Sequence, residues 1–376
     1  MKHKLDFINP VISQIKDQNL YRQLRYSKVN GPYITINKKK LLNLCSNDYL
    51  GIPIKKGNLM QMQSSSRLVS GNDIAFQTLE KKLSRHKSQE ECLVFPTGYM
   101  ANLGSISTLI QKGDLVLSDK LNHVSIIEAC RLSGATISIY QHNNIDDLSK
   151  KIKKKNKRKF IISEGIFSMD GDFAKLKQIT EIAEKNNLIT ILDDAHGDFT
   201  VGRDGKGSAE HFGVAKKIDL YISSLSKGLG SFGGYIASQK NIIDLCINKA
   251  RSFIYTSALP SFLVEYSLKK FESNRGQQQK KLAENVKQIL RGLRQSGYKI
   301  ESETHIIPII IGSEKIALDF GRFLFNNGIY AQPIRYPTVP QNKARIRVSV
   351  TAWLSKKDID YSISIFEAAR KKFRIQ

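Results

Sequence analysis

Cysteine is scarce in this sequence, and its few copies lie far apart. The 376 residues include Cys45, Cys92, Cys130 and Cys246 and no further cysteine. None of them forms a CxxC pair, which excludes the common zinc motifs and the disulfide framework of small secreted domains. We therefore expect no metal site, and this cysteine usage favours a reduced, cytoplasmic protein.

Long apolar stretches are also missing. No run approaches the roughly 20 residues that a helix needs to span a bilayer. Residues 1–6 (MKHKLD) lead into no apolar segment of the kind found in a signal peptide. We therefore expect neither a membrane anchor nor a secretory leader. With 41% apolar residues, the chain can fill the core of one large domain or two ordinary ones.

Acidic residues are few compared with basic ones. The chain has 34 acidic and 59 basic residues, which gives a formal net charge of +25. The densest basic run covers residues 150–159 (KKIKKKNKRK). Such a run can bind nucleic acid, attract a polyanionic substrate or an acidic carrier protein, or simply be a solvated helix end before a strand. No recognition motif or interleaved aromatic residue accompanies it, which argues against nucleic acid.

The hydrophobic pattern predicts an α/β fold. Short apolar runs alternate with amphipathic stretches, as in a mostly parallel sheet covered by helices. Polar residues follow several of the runs, at the sheet edge where such folds bind ligands. The candidate strands are residues 92–95, 115–117, 136–140, 160–162, 188–192, 220–223 and 234–237, and helices are expected at 102–110, 125–132 and 176–186.

The pattern changes from about residue 270. We expect residues 1–43 to form an N-terminal arm, 44–270 a large domain and 271–376 a smaller α+β domain. In residues 344–352 the apolar side chains alternate with polar ones, which predicts a half-buried strand. The other elements expected here are a polar helix at 277–296, a strand at 306–311, and a helix with Ser313 as its N-cap that ends at Gly328.

Two motifs predict the chemistry. Lys227 lies in residues 223–230 (SSLSKGLG), so its amine is flanked by hydroxyls and by glycines that permit close backbone approach. Asp193 directly follows the apolar run 188–192. A carboxylate there can keep a pyridinium nitrogen protonated, or it can cap a helix. The two together predict a site for pyridoxal 5′-phosphate (PLP), with the amine forming a Schiff base.

Other polar residues fit such a site. His196 could donate to the phenolic oxygen of the cofactor, or be an ordinary turn histidine. His123 could stack on the pyridine ring, or lie in the core. Residues 97–102 (TGYMAN) place Gly98 at a strand-to-helix junction, where free N–H groups form a phosphate cradle. Arg347 suits bidentate capture of a carboxylate, although a surface ion pair is the alternative.

From about residue 20 to residue 369, the chain resembles the α-oxoamine synthase family of fold-type I PLP enzymes. The resemblance implies a PLP-dependent transferase with a mostly parallel seven-stranded sheet in its large domain. It depends on several motifs in combination. These are residues 45–51 (CSNDYLG), 66–71 (SRLVSG), 164–172 (EGIFSMDGD), 193–197 (DDAHG), 224–228 (SLSKG), 255–260 (YTSALP) and 337–340 (PTVP).

The resemblance implies a role for each matching residue. Lys227 would form the Schiff base and then act as the base, Asp193 would pair with the pyridine nitrogen, and His123 would stack on the ring and assist at the thioester. The remaining implied cofactor contacts are Gly98, Tyr99 and Ser224 at the phosphate, and Ser168 and His196 near the phenolic oxygen. Thr256 and Ser257 match a segment that reaches the neighbouring subunit's cofactor, which implies a homodimer with shared sites. The implied substrate contacts are Arg22, Asn47, Thr338 and Arg347.

The implied reaction is a decarboxylative condensation. In the family branch that serves biotin biosynthesis, L-alanine condenses with a pimeloyl thioester of coenzyme A or acyl-carrier protein and releases CO2 and the thiol. Residues 350–352 (VTA) favour this branch, whereas residues 336–340 (YPTVP) are shared with 5-aminolevulinate synthases. Sibling enzymes that use glycine or serine remain alternatives. A non-catalytic subunit or a basic nucleic-acid-binding protein on this fold is a further one, and the presence of Lys227 counts against it.

Overall fold

The computed structural model describes residues 8–21, 27–46, 48–52, 65–152 and 158–375. These residues form two compact units. The central unit comprises residues 47–168 and 172–281, and the terminal unit comprises residues 1–46, 169–171 and 282–376. The domain limits expected from the sequence stay a prediction.

The strands and helices alternate through most of the chain. In chain order the strands are β1 (Ser27–Asn30), β2 (Tyr33–Ile36), β3 (Lys39–Asn43), β4 (Glu91–Phe95), β5 (Leu115–Asp119), β6 (Thr136–Tyr140), β7 (Lys159–Glu164), β8 (Ile189–Asp193), β9 (Leu220–Ser224), β10 (Gly234–Ser238), β11 (Ile306–Gly312), β12 (Ile329–Tyr330), β13 (Pro333–Ile334) and β14 (Ala344–Ser349). The helices are α1 (Ile8–Asp17), α2 (Ile74–Lys87), α3 (Gly98–Leu109), α4 (Val124–Leu132), α5 (Ile145–Lys150), α6 (Leu176–Asn186), α7 (Ser208–His211), α8 (Lys240–Lys249), α9 (Arg251–Ile254), α10 (Ser261–Glu272), α11 (Arg275–Gln295), α12 (Glu314–Asn326) and α13 (Lys356–Phe373).

The central unit is built on a seven-stranded sheet in the order β4-β10-β9-β8-β7-β5-β6. Only β10 runs antiparallel to its neighbours β4 and β9, and the remaining pairs are parallel. All seven predicted strands are present, with ends within two residues of those expected. Their continuous apolar runs are explained by burial, because Phe95, Phe160 and Ile222 belong to one core cluster with Ile106 and Ile126 of the covering helices. The predicted α/β class is confirmed.

The terminal unit contains two small sheets. One has the order β1-β2-β3-β12 and the other the order β11-β14-β13. The strand β14 is buried on both sides, because Arg345 is only 5% exposed and Ser349 only 2%. The expectation of a half-buried strand was therefore wrong. Its polar side is covered within the unit, where Arg345 lies 2.7 Å from the Asp170 carboxylate and 3.0 Å from the Met169 carbonyl oxygen.

Helix α12 agrees with the sequence prediction at its start but not at its end. The hydroxyl of Ser313 accepts from the N–H of Ile316 and caps α12, as predicted. That helix ends at Asn326, two residues before the expected Gly328.

In the basic run, α5 ends at Lys150 and β7 begins at Lys159, while residues 153–157 lie outside the described part of the chain. Among the described helices, none is long and apolar enough to cross a membrane.

One imidazole ties together two segments of the central unit. His142 Nδ1 lies 2.9 Å from Asp119 Oδ1 at the end of β5, and its Nε2 lies 2.8 Å from Asp172 Oδ2. Partial burial would lower the pKa of His142, but hydrogen bonds and charge from the two carboxylates outweigh it and raise this pKa to about 10. His142 is therefore an imidazolium at neutral pH.

We expect His142→Gln to destabilise the protein in a pH-dependent way. The wild-type contribution is fully present below the ordinary histidine pKa of about 6.5 and is lost as the pH rises through about 10. The loss in unfolding free energy should be ~1–3 kcal/mol at pH 6 and should shrink towards pH 10. Urea denaturation at several pH values measures it. A difference that does not change with pH would contradict the assigned charge.

Candidate active site

Lys227 begins a chain of three hydrogen-bonded side chains. It lies in the turn between β9 and β10, and its Nζ is 2.9 Å from Nε2 of His196. The other ring nitrogen of His196, Nδ1, lies 2.8 Å from the hydroxyl of the fully buried Tyr49. When Nε2 accepts from the ammonium, Nδ1 carries the ring proton and donates it to the tyrosine oxygen. Tyr49 lies in a motif that carried the resemblance, but sequence reasoning gave it no role.

Asp193 is held by two N–H donors at the carboxyl end of β8. Its Oδ2 accepts from the Asn102 amide at 2.7 Å, and its Oδ1 accepts from the Ala195 N–H at 3.0 Å. The Asn102 amide also donates to the Ser125 hydroxyl at 3.0 Å. The carboxylate is thus fixed in orientation from two sides. Asn102 is a second residue that sequence reasoning missed, although it lies in the TGYMAN motif.

His123 lies at the N-terminus of α4 and caps it. Its Nδ1 accepts from the Ser125 N–H at 3.3 Å and lies 2.7 Å from the Ser125 hydroxyl. Burial lowers the pKa of His123, the positive charge of Lys227 acts in the same direction, and Asp193 only partly opposes them. The ring is therefore neutral, with its proton on Nε2, and the Tyr99 ring packs against it edge-on at 6.5 Å.

Gly98 and Ser224 lie against each other at the start of α3. A Cβ on Gly98 would lie 3.2 Å from Cβ of Ser224, so a larger residue would crowd the place where the two segments meet. In the first turn of α3 the Met100 N–H donates to the Thr97 hydroxyl, whereas those of Gly98 and Tyr99 have no acceptor within the helix. The hydroxyl of Ser224 lies 2.8 Å from that of Ser226. Free N–H groups and a hydroxyl at a helix N-terminus suit an anion such as a phosphate.

Glu164 is a buried acid on the strand next to that of Asp193. Sequence reasoning assigned it no function. It ends β7 and pairs with Asp193 in the parallel register of β7 and β8. Burial raises its pKa to about 8, the charge of Asp193 adds to this, and Lys227 opposes it. Its Oε1 has no hydrogen-bond partner among the described residues. Glu164 therefore keeps a proton at neutral pH beside the Asp193 carboxylate.

The other predicted site residues lie in several places. Ser168 is in the turn after β7, and its N–H favours the ionised form of Glu164. Thr256 and Ser257 follow α9 and line a small cavity with Arg67. Thr338 and Arg347 belong to the terminal unit, Arg347 on β14. Arg22 and Asn47 lie outside the described residues. The structure thus brings together Lys227, His196, Asp193 and their partners within the central unit.

Comparison with known proteins gives consistent results. The aminotransferase class I and II family model matches residues 39–366. The 8-amino-7-oxononanoate synthase of Thermoanaerobacter pseudethanolicus is 40% identical, with 99% of each chain covered, and further relatives at 34–38% identity carry the same name. A serine palmitoyltransferase from Sphingomonas wittichii matches with a TM-score of 0.91, 27% identity and full coverage of both chains. A serine palmitoyltransferase from S. paucimobilis, solved with a bound PLP–myriocin aldimine, has a TM-score of 0.91 and 25% identity, with 99% of this chain and 98% of that chain covered.

The chain therefore belongs to the class I and II aminotransferases, the fold-type I PLP enzymes. Within that class it is an α-oxoamine synthase, similar over its whole length to 8-amino-7-oxononanoate synthases. The family resemblance inferred from the motifs is confirmed.

The buried Glu164 carboxyl predicts a specific pH dependence of stability. Its pKa is about 8 in the folded chain and ~4.3 in an unfolded one. Between these values the unfolded chain has released a proton that the folded chain keeps, so rising pH favours unfolding, by ~1.4 kcal/mol per pH unit at most.

Glu164→Gln removes this titration and keeps the side-chain size. The unfolding free energy of the variant minus that of the wild type should rise from about pH 5 to about pH 8 and then level off. Chemical denaturation across this range measures the difference. If it stays constant, Glu164 is already ionised in the folded chain at acid pH, and the assignment is wrong.

Proposed function

We propose that this chain is a PLP-dependent acyltransferase that makes 8-amino-7-oxononanoate for biotin biosynthesis. It condenses L-alanine with a pimeloyl thioester of coenzyme A or acyl-carrier protein and releases CO2 and the free thiol. The observation that carries the proposal is the Lys227–His196–Tyr49 chain beside Asp193, in a sequence up to 40% identical to synthases of that name.

The central unit fits the cofactor. The start of α3 beside Ser224, where a Cβ on Gly98 would be crowded, suits the phosphate. The Asp193 carboxylate suits a protonated pyridine nitrogen, and the Lys227 amine suits the aldehyde. When bound, PLP supplies an electron sink for negative charge at Cα of the amino acid.

Lys227 and His196 handle the proton at Cα. The Lys227 amine would hold the cofactor through its aldehyde and, as a free amine, would act as the base that takes the proton from Cα of alanine. A neutral amine is needed for this step. His196 Nε2, at 2.9 Å, accepts an N–H from Lys227 and orients its lone pair, while Tyr49 fixes the His196 ring.

Asp193 and His123 stabilise charge at two places, the pyridine nitrogen of the cofactor and the oxygen of the thioester. Asp193, held by Asn102 and Ala195, keeps the proton on the pyridine nitrogen. His123 stacks on the ring as a neutral imidazole. Because its Nδ1 accepts from Ser125, its proton is on Nε2, from which it can be donated to the oxygen of the thioester.

The remaining contacts are proposed by residue. Gly98, Tyr99 and Ser224 hold the phosphate, and Ser168 and His196 contact the phenolic oxygen. Arg347 receives the alanine carboxylate through a bidentate pair. The other substrate contacts are Arg22, Asn47 and Thr338.

We also propose a homodimer in which Thr256 and Ser257 reach the partner's cofactor phosphate. Large apolar side chains are exposed beside these residues and before α2, with Tyr255 81% and Val69 79% exposed. An interface between subunits would bury these side chains. The four cysteines are free thiols, which supports a reduced, cytoplasmic setting.

A sibling reaction is the second candidate. The serine palmitoyltransferase structures match this chain with TM-scores of 0.91, so a serine- or glycine-using condensation would use the same fold. Sequence identity favours the first candidate, since relatives that are 34–40% identical over nearly the whole chain carry the name 8-amino-7-oxononanoate synthase.

We expect Lys227→Ala to abolish the absorbance band of bound PLP and to reduce turnover by at least ~10³-fold, because both the anchor and the base are lost. The exposed Lys240→Ala is the matched control and should behave as wild type. Absence of a cofactor band in the wild type would overturn the whole proposal.

A substrate panel tests the choice of branch. L-alanine, glycine and L-serine are each combined with pimeloyl-, acetyl-, succinyl- and palmitoyl-coenzyme A, and thiol release is measured. L-alanine with the pimeloyl donor should give the highest kcat/KM. Faster turnover of another pair would assign the chain to that sibling reaction.

A further inference from the structure

A buried ion cluster lies against the turn that carries Asp193 and His196. We define it as Lys87, Asp194, Asp198 and His86. The ammonium of Lys87, at the end of α2, lies 3.2 Å from Asp194 Oδ2 and 2.7 Å from Asp198 Oδ1. The three side chains are at most 1% exposed. In this turn Asp193 and His196 thus belong to the proposed active site, while Asp194 and Asp198 contact Lys87.

Each member of the cluster has further partners. Lys87 also donates to the Lys206 carbonyl oxygen at 2.9 Å. The Asp194 carboxylate accepts from the Ser208 N–H at 3.0 Å. Asp198 accepts from His86 Nε2 at 3.0 Å, from the Ser223 hydroxyl at 2.7 Å and from the Tyr235 hydroxyl; these donors come from three separate elements.

The charges of the cluster depend on Lys87. Burial alone would lower the pKa of Lys87, but Asp198 and Asp194 outweigh it and raise that pKa. Burial likewise opposes ionisation of Asp198, and Lys87 and His86 overcome it, so the pKa of Asp198 is lowered. Burying ions costs several kcal/mol per charge. Without the ammonium, two buried carboxyls would face each other with no cation between them.

The cluster also contacts the turn that carries Lys227. A Cβ on Gly228, the next residue after Lys227, would overlap the carbonyl oxygen of Asp198. On the other side of the same turn, Ser223 donates to Asp198 and directly precedes Ser224. The cluster therefore fixes both turns whose side chains meet in the Lys227–His196 hydrogen bond.

We propose that Lys87 is a positioning residue of this active site. Its buried ammonium holds Asp194 and Asp198, and through them it fixes His196 against Lys227 and Asp193 against the cofactor ring. The proposal rests on the proposed function, because it concerns the same PLP site. It assigns Lys87 an effect on the bound cofactor beyond any effect on folding.

The test compares charge and shape at position 87. Lys87→Met keeps the length of the side chain and removes its charge, whereas Lys87→Arg keeps the charge. Lys82→Met on the same helix is the matched control, since Lys82 is 34% exposed and pairs with Glu272 near the surface. The holoenzymes are compared by the dissociation constant for PLP, by the pH at which the band of bound PLP changes, and by melting temperature.

We expect Lys87→Met to weaken PLP binding about 10-fold and to shift the spectral transition by about one pH unit. It should lower kcat at least about 10-fold while changing KM for alanine little, since substrate-binding residues are untouched. Lys87→Arg should recover part of each loss, and Lys82→Met should match the wild type.

The results distinguish a failure of the positioning role of Lys87 from a failure of the proposed function. A folded Lys87→Met with wild-type PLP affinity and spectral transition, and only a lower melting temperature, would overturn the positioning role. If Lys87→Met does not fold, Asp194→Asn decides, because it weakens the hold on the same turn with an isosteric side chain; an unchanged cofactor spectrum there also overturns the role. A wild type that binds no PLP would instead overturn the proposed function.

Discussion

The hydrogen bond between Lys227 and His196 depends on the geometry of two neighbouring parallel strands. The strands β8 and β9 pair in register, and both turns leave the same edge of the sheet. A lysine in one turn can therefore meet a histidine in the other without distortion of either strand. Tyr49 holds His196 in place, and Asn102 holds Asp193. Both come from segments that are distant in sequence.

The same edge concentrates carboxyl groups, and the protein controls the charge of each by different means. Asp198 is kept ionised by Lys87 and His86 against its burial. Burial raises the pKa of Asp194 to about 6, although Lys87 partly offsets this, and burial raises that of Glu164 to about 8. Asp193 accepts hydrogen bonds from two N–H donors, the Asn102 amide and the Ala195 N–H. In the proposed site, Asp193 therefore lies beside a neutral acid, because Glu164 keeps its proton at pH 7.

Sequence reasoning predicted the residues whose surroundings are local. Lys227 could be found because serines and glycines flank it, Asp193 because it follows a short apolar run, and the seven strands because such runs are continuous. Lys87 could not be found, since the segment RHK at the end of α2 is typical of a solvated helix end. Its partners Asp194 and Asp198 are more than a hundred residues away. The expectation that β14 is half-buried failed for the same reason. Arg345 is covered by Asp170, which comes from a segment distant in sequence.

The chemistry of the central unit cannot by itself select the acyl donor. In the proposed reaction, removal of the proton at Cα uses Lys227, Asp193 and a phosphate site, and the sibling condensations would share these. The serine palmitoyltransferases match the fold with TM-scores of 0.91 although their identity is 25–27%. Selection must therefore come from residues that contact the carboxylate and the acyl chain, such as the proposed Thr338 and Arg347. Small changes there alter the transition-state binding of one thioester relative to another and leave the shared proton chemistry intact.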